Sequence, residues 1–223
     1  VAYGINVNSI TVTSINNAST GVIKADATTG AGAVGIFVSS ASSVGTITNS
    51  GTITASAGGV SAYGIEVRST SSVGTLTNSG TITASAGATG AYGIYVTSSV
   101  TVTSINNTST GVIKANAITG DGAVGIFVEG TSSVGTITNS GTISAVAASE
   151  SAYGIYVRSN SSVGTITNSG TITTSAGSSY AYGGIYVENT STVGTLTNSG
   201  TITASADSSH AYGIFVSSAS SVG

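Results

Sequence analysis

Val44-Gly45-Thr46-Ile47-Thr48-Asn49-Ser50-Gly51-Thr52-Ile53-Thr54-Ala55 returns almost letter for letter from Val73, Val134, Val163 and Val193. A fixed period of about 30 residues is the mark of a solenoid or array, whose copies bury their apolar faces against one another. Aligned on Gly-Ile, the copies start at Gly4, Gly35, Gly64, Gly93, Gly125, Gly154, Gly184 and Gly213, at intervals of 29 to 32 residues. A stack grows by addition, so residues 1–223 read as one continuous repeat region. The first and last residues both fall inside a copy, so the expectation is a slice of a longer chain or a unit that meets others end to end.

Each copy offers three short runs. The first is Gly-Ile-x-Val, as in Ile65/Val67 and Ile94/Val96, with Asn6, Phe37, Glu66, Tyr95, Phe127, Tyr156, Tyr186 or Phe215 between the constant pair. Constant apolar residues around a variable one describe a half-buried strand, because successive side chains point to opposite faces. The second run places Ile47, Leu76, Ile137, Ile166 or Leu196 between outward threonines. In the third, Ile53, Ala55 and Ala57 share a face, and their shrinking size predicts a tapering interior. Asn-Ser-Gly separates the second and third runs, with Asn tolerating a left-handed backbone and Gly permitting a sharp bend.

Three strands and three corners closing one rung, paired in parallel with the rungs above and below, explain the pattern better than antiparallel hairpins. Only an in-register parallel stack sets each residue on its own counterpart. Asn17, Asn49, Asn78, Asn107, Asn139, Asn168 and Asn198 then form an amide ladder of the kind stacked asparagines make in cross-β packing. A propeller would need four strands per blade, and its Trp-Asp signature cannot occur in a chain without Trp. The fold class is therefore all-β, a parallel β-helix solenoid with three short strands per rung, right-handed as parallel crossovers generally are. Ser9 to Ala25 is echoed by Ser99 to Ala115, giving a superrepeat of three rungs; both variants carry two extra residues after the Asn, expected to bulge at one corner.

Composition narrows the function classes. Only 5% of residues are charged, the net charge is −3, and Lys24, Arg68, Lys114 and Arg158 are scattered over distant copies, which leaves no basic patch for nucleic acid. No apolar run is long enough for a membrane span, so no membrane insertion is expected in this segment. The absence of Cys removes thiol chemistry and the commonest zinc sites, and the Gly/Asp nonapeptide that binds Ca²⁺ in some β-helices is missing. No metal or other cofactor is expected.

Asp26, Glu66, Asp121, Glu129, Glu150, Glu188 and Asp207 must supply any acid and base, yet only Glu129 and Glu188 share a register, with Arg158 on the rung between them. That reads as an exposed ladder of alternating charge and argues against an enzyme. His210 reads as a solvated corner. The pairs Thr46/Thr48, Thr75/Thr77, Thr136/Thr138, Thr165/Thr167 and Thr195/Thr197 would stack into ranks resembling the ice-binding faces of β-helical antifreeze proteins, although Ser14/Asn16 and Ser104/Asn106 interrupt them. Phe37, Tyr95, Phe127, Tyr156, Tyr186 and Phe215 occupy one strand position and form a stripe. It either offers contiguous apolar surface to sugars or a neighbouring rod, or stacks on itself to support the helix. Tyr3, Tyr63, Tyr92, Tyr153 and Tyr212 share parity with the inward Ile and are expected to fill a corner. Asn-x-Ser/Thr sequons carry little information in a chain this rich in all three residues.

The recurring Ile-Thr-Asn-Ser-Gly-Thr-Ile resembles the repetitive passenger regions of bacterial autotransporters and related large adhesins. The resemblance implies a secreted β-helix displayed on the surface of a Gram-negative cell; the matching motif is scaffold, so no catalytic or receptor-binding residue carries over. The expected function is a structural or adhesive extracellular fibre or stalk, with sister copies or surface glycans as partners. An end-to-end or lateral filament and an ice-binding β-helix are the alternatives.

Overall fold

The computed structural model describes residues 1–119, 122–177, 183–208 and 210–223. It is a parallel β-solenoid of three sheets, two of eight strands and one of seven, in which each strand pairs with its equivalent one rung away. One complete rung is Ala62–Val67, Ser72–Asn78 and Thr81–Ala86, and the next is Ala91–Val96, Thr101–Asn107 and Val112–Ala117. Register follows the repeat: Ile65 pairs with Ile94, Leu76 with Ile105, Ile82 with Ile113 and Asn78 with Asn107. The superrepeat insertions leave this register intact. Ala18–Gly21 and Thr108–Gly111 close as turns, Gly21 N–H donating to Ala18 at 2.8 Å and Gly111 N–H to Thr108 at 2.9 Å.

The interior divides by residue size. Ile, Val and Leu from all three sheets form one buried column, including Ile65, Val67, Val73, Leu76 and Ile82. Each such side chain contributes about 2 kcal/mol when fully buried. Where the third strand turns back to the first, Ala55, Ala57 and Ala62 and their equivalents form a separate column. The interior tapers there, as the run from Ile to Ala in the third strand requires.

Strict alternation fails in the first strand. Ala62 is buried, Tyr63 points out, and then two successive residues face inward: Ile65 lies in the core, and a methyl group on Gly64 would overlap Ile82 Cγ2. The same overlap recurs from Gly4 against Ile23 to Gly184 against Ile202. Glycine is required because its inward side is already filled by the isoleucine of the third sheet. The doubled inward step also reverses the parity of the preceding residue. Tyr3, Tyr63, Tyr92, Tyr153 and Tyr212 therefore lie on the outer face and not in a corner of the core.

The corners also depart from the sequence reading. No residue of Asn49-Ser50-Gly51 has a positive φ. The glycine there serves close stacking: a methyl on Gly80 would overlap the carbonyl oxygen of Gly51. The left-handed backbone sits instead between the first and second strands, where consecutive pairs such as Ser40/Ala41 (φ 58° and 57°) and Ser69/Thr70 (φ 59° and 56°) adopt it. Main-chain bonds lock these corners together, Ala41 N–H donating to Ser69 at 3.0 Å and Thr70 N–H to Ser98 at 2.9 Å. A left-handed non-glycine residue costs roughly 1–2 kcal/mol. Ala41→Gly removes that strain but adds unfolded-state entropy, so a net stabilisation of about 0.5–1 kcal/mol is expected in urea denaturation.

Candidate functional site

Two side-chain rows run the length of the solenoid. The inner one begins at the end of the second strand, where each asparagine faces inward. Asn17 Nδ2 donates to Asn49 Oδ1 at 2.7 Å, Asn49 to Asn78 at 2.8 Å, Asn78 to Asn107 at 2.8 Å, Asn107 to Asn139 at 2.8 Å, Asn139 to Asn168 at 2.7 Å and Asn168 to Asn198 at 2.7 Å. From Asn49 onward each amide also reaches a glycine carbonyl in its own corner, as Asn49 does to Gly51 at 3.2 Å, whereas Asn17 reaches Thr52 O at 3.1 Å. The asparagine main chain takes part as well: Asn49 O accepts from both Ser79 and Gly80. Asn78, Asn107, Asn139 and Asn168 are fully buried, so their polar atoms depend on one another and on the main chain.

A second buried row escaped the sequence reading. Ser42, Ser71, Ser132, Ser161 and Ser191 stand just after the left-handed corners. Ser132 N–H donates to Ser161 Oγ and Ser161 N–H to Ser191 Oγ, each at 3.2 Å. The signal was a serine at a fixed place before Ser-Val-Gly or Thr-Val-Gly, replaced only by Ile10 and Val100 at the superrepeat.

The outer row lies on the first sheet. The stripe residues stack along the rod: Tyr95 on Phe127 at 5.2 Å between ring centroids, Phe127 on Tyr156 at 4.8 Å, Tyr156 on Tyr186 at 5.0 Å and Tyr186 on Phe215 at 5.2 Å. Phe37 stacks with Tyr3 at 5.0 Å. The outward-turned tyrosines roof this stack, Tyr92 against Tyr95 at 5.1 Å and Tyr153 against Tyr156 at 4.4 Å. Phe37, Phe127, Tyr156 and Tyr186 are consequently buried, while Tyr95 and Phe215 are half-buried. The stripe is thus outside the sheet but largely shielded from water, because the tyrosines assigned to a corner lie over it.

A row of polar groups follows each aromatic two positions later. Arg158 donates through Nε to Glu129 Oε2 at 2.8 Å and lies over the Phe127 ring at 4.9 Å. Tyr95 donates to Glu129, and Tyr156 and Tyr186 both donate to Glu188, the latter at 2.7 Å. The expected charge ladder is therefore a mixed network of carboxylates, phenols and one guanidinium. Burial and the neighbouring carboxylates raise the Tyr95 and Tyr156 phenols above their ordinary range, and Tyr186 rises to about 12.

Glu66 interrupts the aromatic stripe and is only 4% exposed. Phe37 and Tyr95 flank it in register, Tyr63 lies on its own strand, and Arg68 approaches its Oε1 at 3.4 Å. Burial pushes its carboxyl up from 4.5 to about 7, with the Arg68 charge only partly offsetting this. A carboxyl whose folded value exceeds its unfolded value binds more protons when folded, so stability falls as pH rises from 4.5 to 7 and is level above that. The fall is roughly 3 kcal/mol, and Glu66→Gln should abolish it when denaturation is measured across that range.

The remaining candidates are dispersed. Asp26 pairs with Lys24 at 2.7 Å on an exposed part of the third sheet, Glu150 and Asp207 are exposed, and Asp121 lies outside the described residues. His210 is exposed and stacks on Tyr212 at 5.9 Å. The threonine ranks are in register on the second sheet, with Ser104 and Asn106 breaking them between Thr75/Thr77 and Thr136/Thr138. Among the described residues no three His, Cys, Asp or Glu gather into a metal-binding group, and no helix is long and apolar enough to cross a membrane.

Two recesses indent the outer row. Their place is set by Val34 and Val124, the two described positions at which the tyrosine column carries valine. One, of about 190 Å³, is lined by Tyr3, Val34, Tyr63, Glu66 and Arg68 among others; the second, of about 230 Å³, by Tyr92, Val124, Tyr153, Tyr156 and Arg158. Tyr3 is equivalent to Tyr92, Tyr63 to Tyr153 and Arg68 to Arg158, so the recesses are one feature repeated by the superrepeat. No family model, curated protein or solved structure matches the chain.

Proposed function

We propose that this chain is a rod-like structural segment of an extracellular surface fibre, a spacer without catalytic chemistry. The observation that carries the reading is the unbroken asparagine column from Asn17 to Asn198, running beside parallel pairing in all three sheets. Every rung is tied to the next by main chain and by buried side chains, so length grows with copy number while the cross-section stays constant. At a strand spacing of about 4.8 Å the seven to eight rungs make a rod roughly 35 Å long. The carboxylates support a non-catalytic role, since Glu66 and Glu129 are tied to arginines and Glu188 to two tyrosines. The repeat's resemblance to autotransporter passengers supports the surface location. The threonine ranks carry less weight, because the superrepeat breaks them every third rung.

Protease shaving of intact cells that carry the protein tests the location. Peptides of this chain released from unbroken cells are the expected result, whereas release only after lysis would overturn the reading. Two copies joined in the register of the superrepeat should double the rod length in electron micrographs; two separate beads would show that the copies do not form a continuous spacer.

A further inference from the structure

We propose that the recesses over Val34 and Val124 are equivalent glycan subsites, each taking one pyranose ring of a polysaccharide laid along the rod. The proposal stands on the outer face of the first sheet and is independent of the spacer role.

The geometry is that of a ring missing from a stack. Where tyrosines occupy successive rungs of this column they lie 5.0 Å apart, as Tyr63 and Tyr92 do. At Val34 and Val124 the short side chain lies buried at the base, the flanking tyrosines belong to rungs about 10 Å apart, and a recess remains beside the rings on which Tyr3 and Tyr92 lean, Phe37 at 5.0 Å and Phe127 at 5.8 Å. Volumes of about 190 and 230 Å³ fall below the roughly 300 Å³ at which drug-sized pockets begin, which fits a single ring and not a larger ligand.

The chemistry of the walls selects the occupant. A pyranose has two C–H faces and an edge of hydroxyls. Its faces meet tyrosine rings, and its edge meets a guanidinium held over Phe37 at 4.6 Å or over Phe127 at 4.9 Å. Glu66 adds an acceptor in the first recess, and the Tyr156 phenol takes the equivalent place in the second. An aromatic side chain from another protein would fit the width, but it would offer no acceptor to the guanidinium N–H groups that the carboxylate contact of Arg68 or Arg158 does not use. Repetition points the same way. The recesses recur after three rungs, about 14 Å, and a periodic pair of weak subsites suits a periodic polymer, whose second contact is made at high effective concentration.

Titration calorimetry with cellohexaose, maltohexaose and chitohexaose tests the proposal, using the whole chain and the double variant Val34→Tyr/Val124→Tyr. Tyrosine is the natural residue at this register in Tyr63, Tyr92 and Tyr153, so the variant completes the stack, and its circular dichroism should match that of the parent. At least one hexasaccharide should bind the parent chain, and filling both recesses should weaken it roughly tenfold or more. Filling one recess should leave binding at the other while removing the gain from divalent contact. No binding of any of the three at millimolar concentration, or binding indifferent to the double variant, would overturn the proposal. Self-association of the parent that the double variant abolishes, without sugar binding, would also overturn it by assigning the recesses to a protein partner.

Discussion

Asn107→Asp is expected to destabilise the fold by about 5 kcal/mol at pH 7. Asn107 is 0% exposed, and its Nδ2 faces three acceptors: Asn139 Oδ1 at 2.8 Å, Gly111 O at 3.1 Å and Thr142 O at 3.2 Å. Its Oδ1 accepts from Asn78 at 2.8 Å, a bond the carboxylate keeps. The new oxygen meets the three acceptors with a negative charge that burial prevents water from solvating. The folded carboxyl therefore rises above its unfolded value of about 4. The penalty is smallest below that pH and grows as pH climbs through the gap, so the variant should recover part of its stability near pH 4. Recovery stays incomplete because a protonated carboxyl donates one bond where the amide reached three partners. The same change at the exposed Asn198 should cost under about 1 kcal/mol. Urea denaturation of both variants at pH 4 and pH 7 measures all four quantities. Equal and small losses at the two positions would mean that water reaches the column.

Gly93→Ala should cost about 3 kcal/mol, an unusual figure for the addition of one methyl group. That methyl overlaps Ile113 Cγ2 and lies 2.5 Å from the carbonyl oxygen of Gly125 on the next rung. The first obstacle is a side chain and the second is main chain held in the parallel ladder. Adding Ile113→Ala therefore relieves only the first, and the double variant should be less unstable than the sum of the single changes by about 1 kcal/mol. Gly30→Ala is the control. Its φ is 62° and nothing lies within 4 Å, so it should lose only the backbone cost of about 1 kcal/mol. Thermal or urea denaturation of the four variants, Ile113→Ala alone included, separates crowding at the inward glycine from backbone strain.

The period, the three strands and their register were legible because the same letters recur, and parallel stacking is the arrangement that sets like upon like. Asn107 could be placed beside Asn78 and Asn139 for that reason. The facing of the tyrosines was not legible. Gly64 has no side chain to show which way it points, so an alternation counted across it put Tyr63 inside with Ile65, when Gly64 and Ile65 both face the interior. The roofing of Phe127 and Tyr156 by Tyr92 and Tyr153, and the two recesses over valine, follow from that reversal and were hidden with it. Glu66 read as an outward charge, and its burial depends on aromatic neighbours from three rungs. The left-handed corners gave only a partial sign, in Gly130, Asn160 and Asn189. Pairs such as Ser40/Ala41 and Ser98/Ser99 lack the Gly or Asn that marks this backbone in sequence, and the main-chain bonds of adjacent rungs hold them there.

Cross-linking of paired cysteines tests most directly whether equivalent residues of successive copies lie over one another. The chain has no cysteine of its own, so each introduced pair reports alone. Thr136 and Thr165 are register partners on adjacent parallel strands, and their separation of about 5 Å lies within disulfide reach. Thr136→Cys with Thr165→Cys should oxidise readily to an intramolecular disulfide, while Thr136→Cys with Thr167→Cys, about 8 Å apart, should not. A two-residue hairpin turn at Ser140-Gly141 would instead bring Thr136 opposite Ala145. A disulfide between cysteines at those two positions, with none between 136 and 165, would contradict the parallel stack and everything built on it.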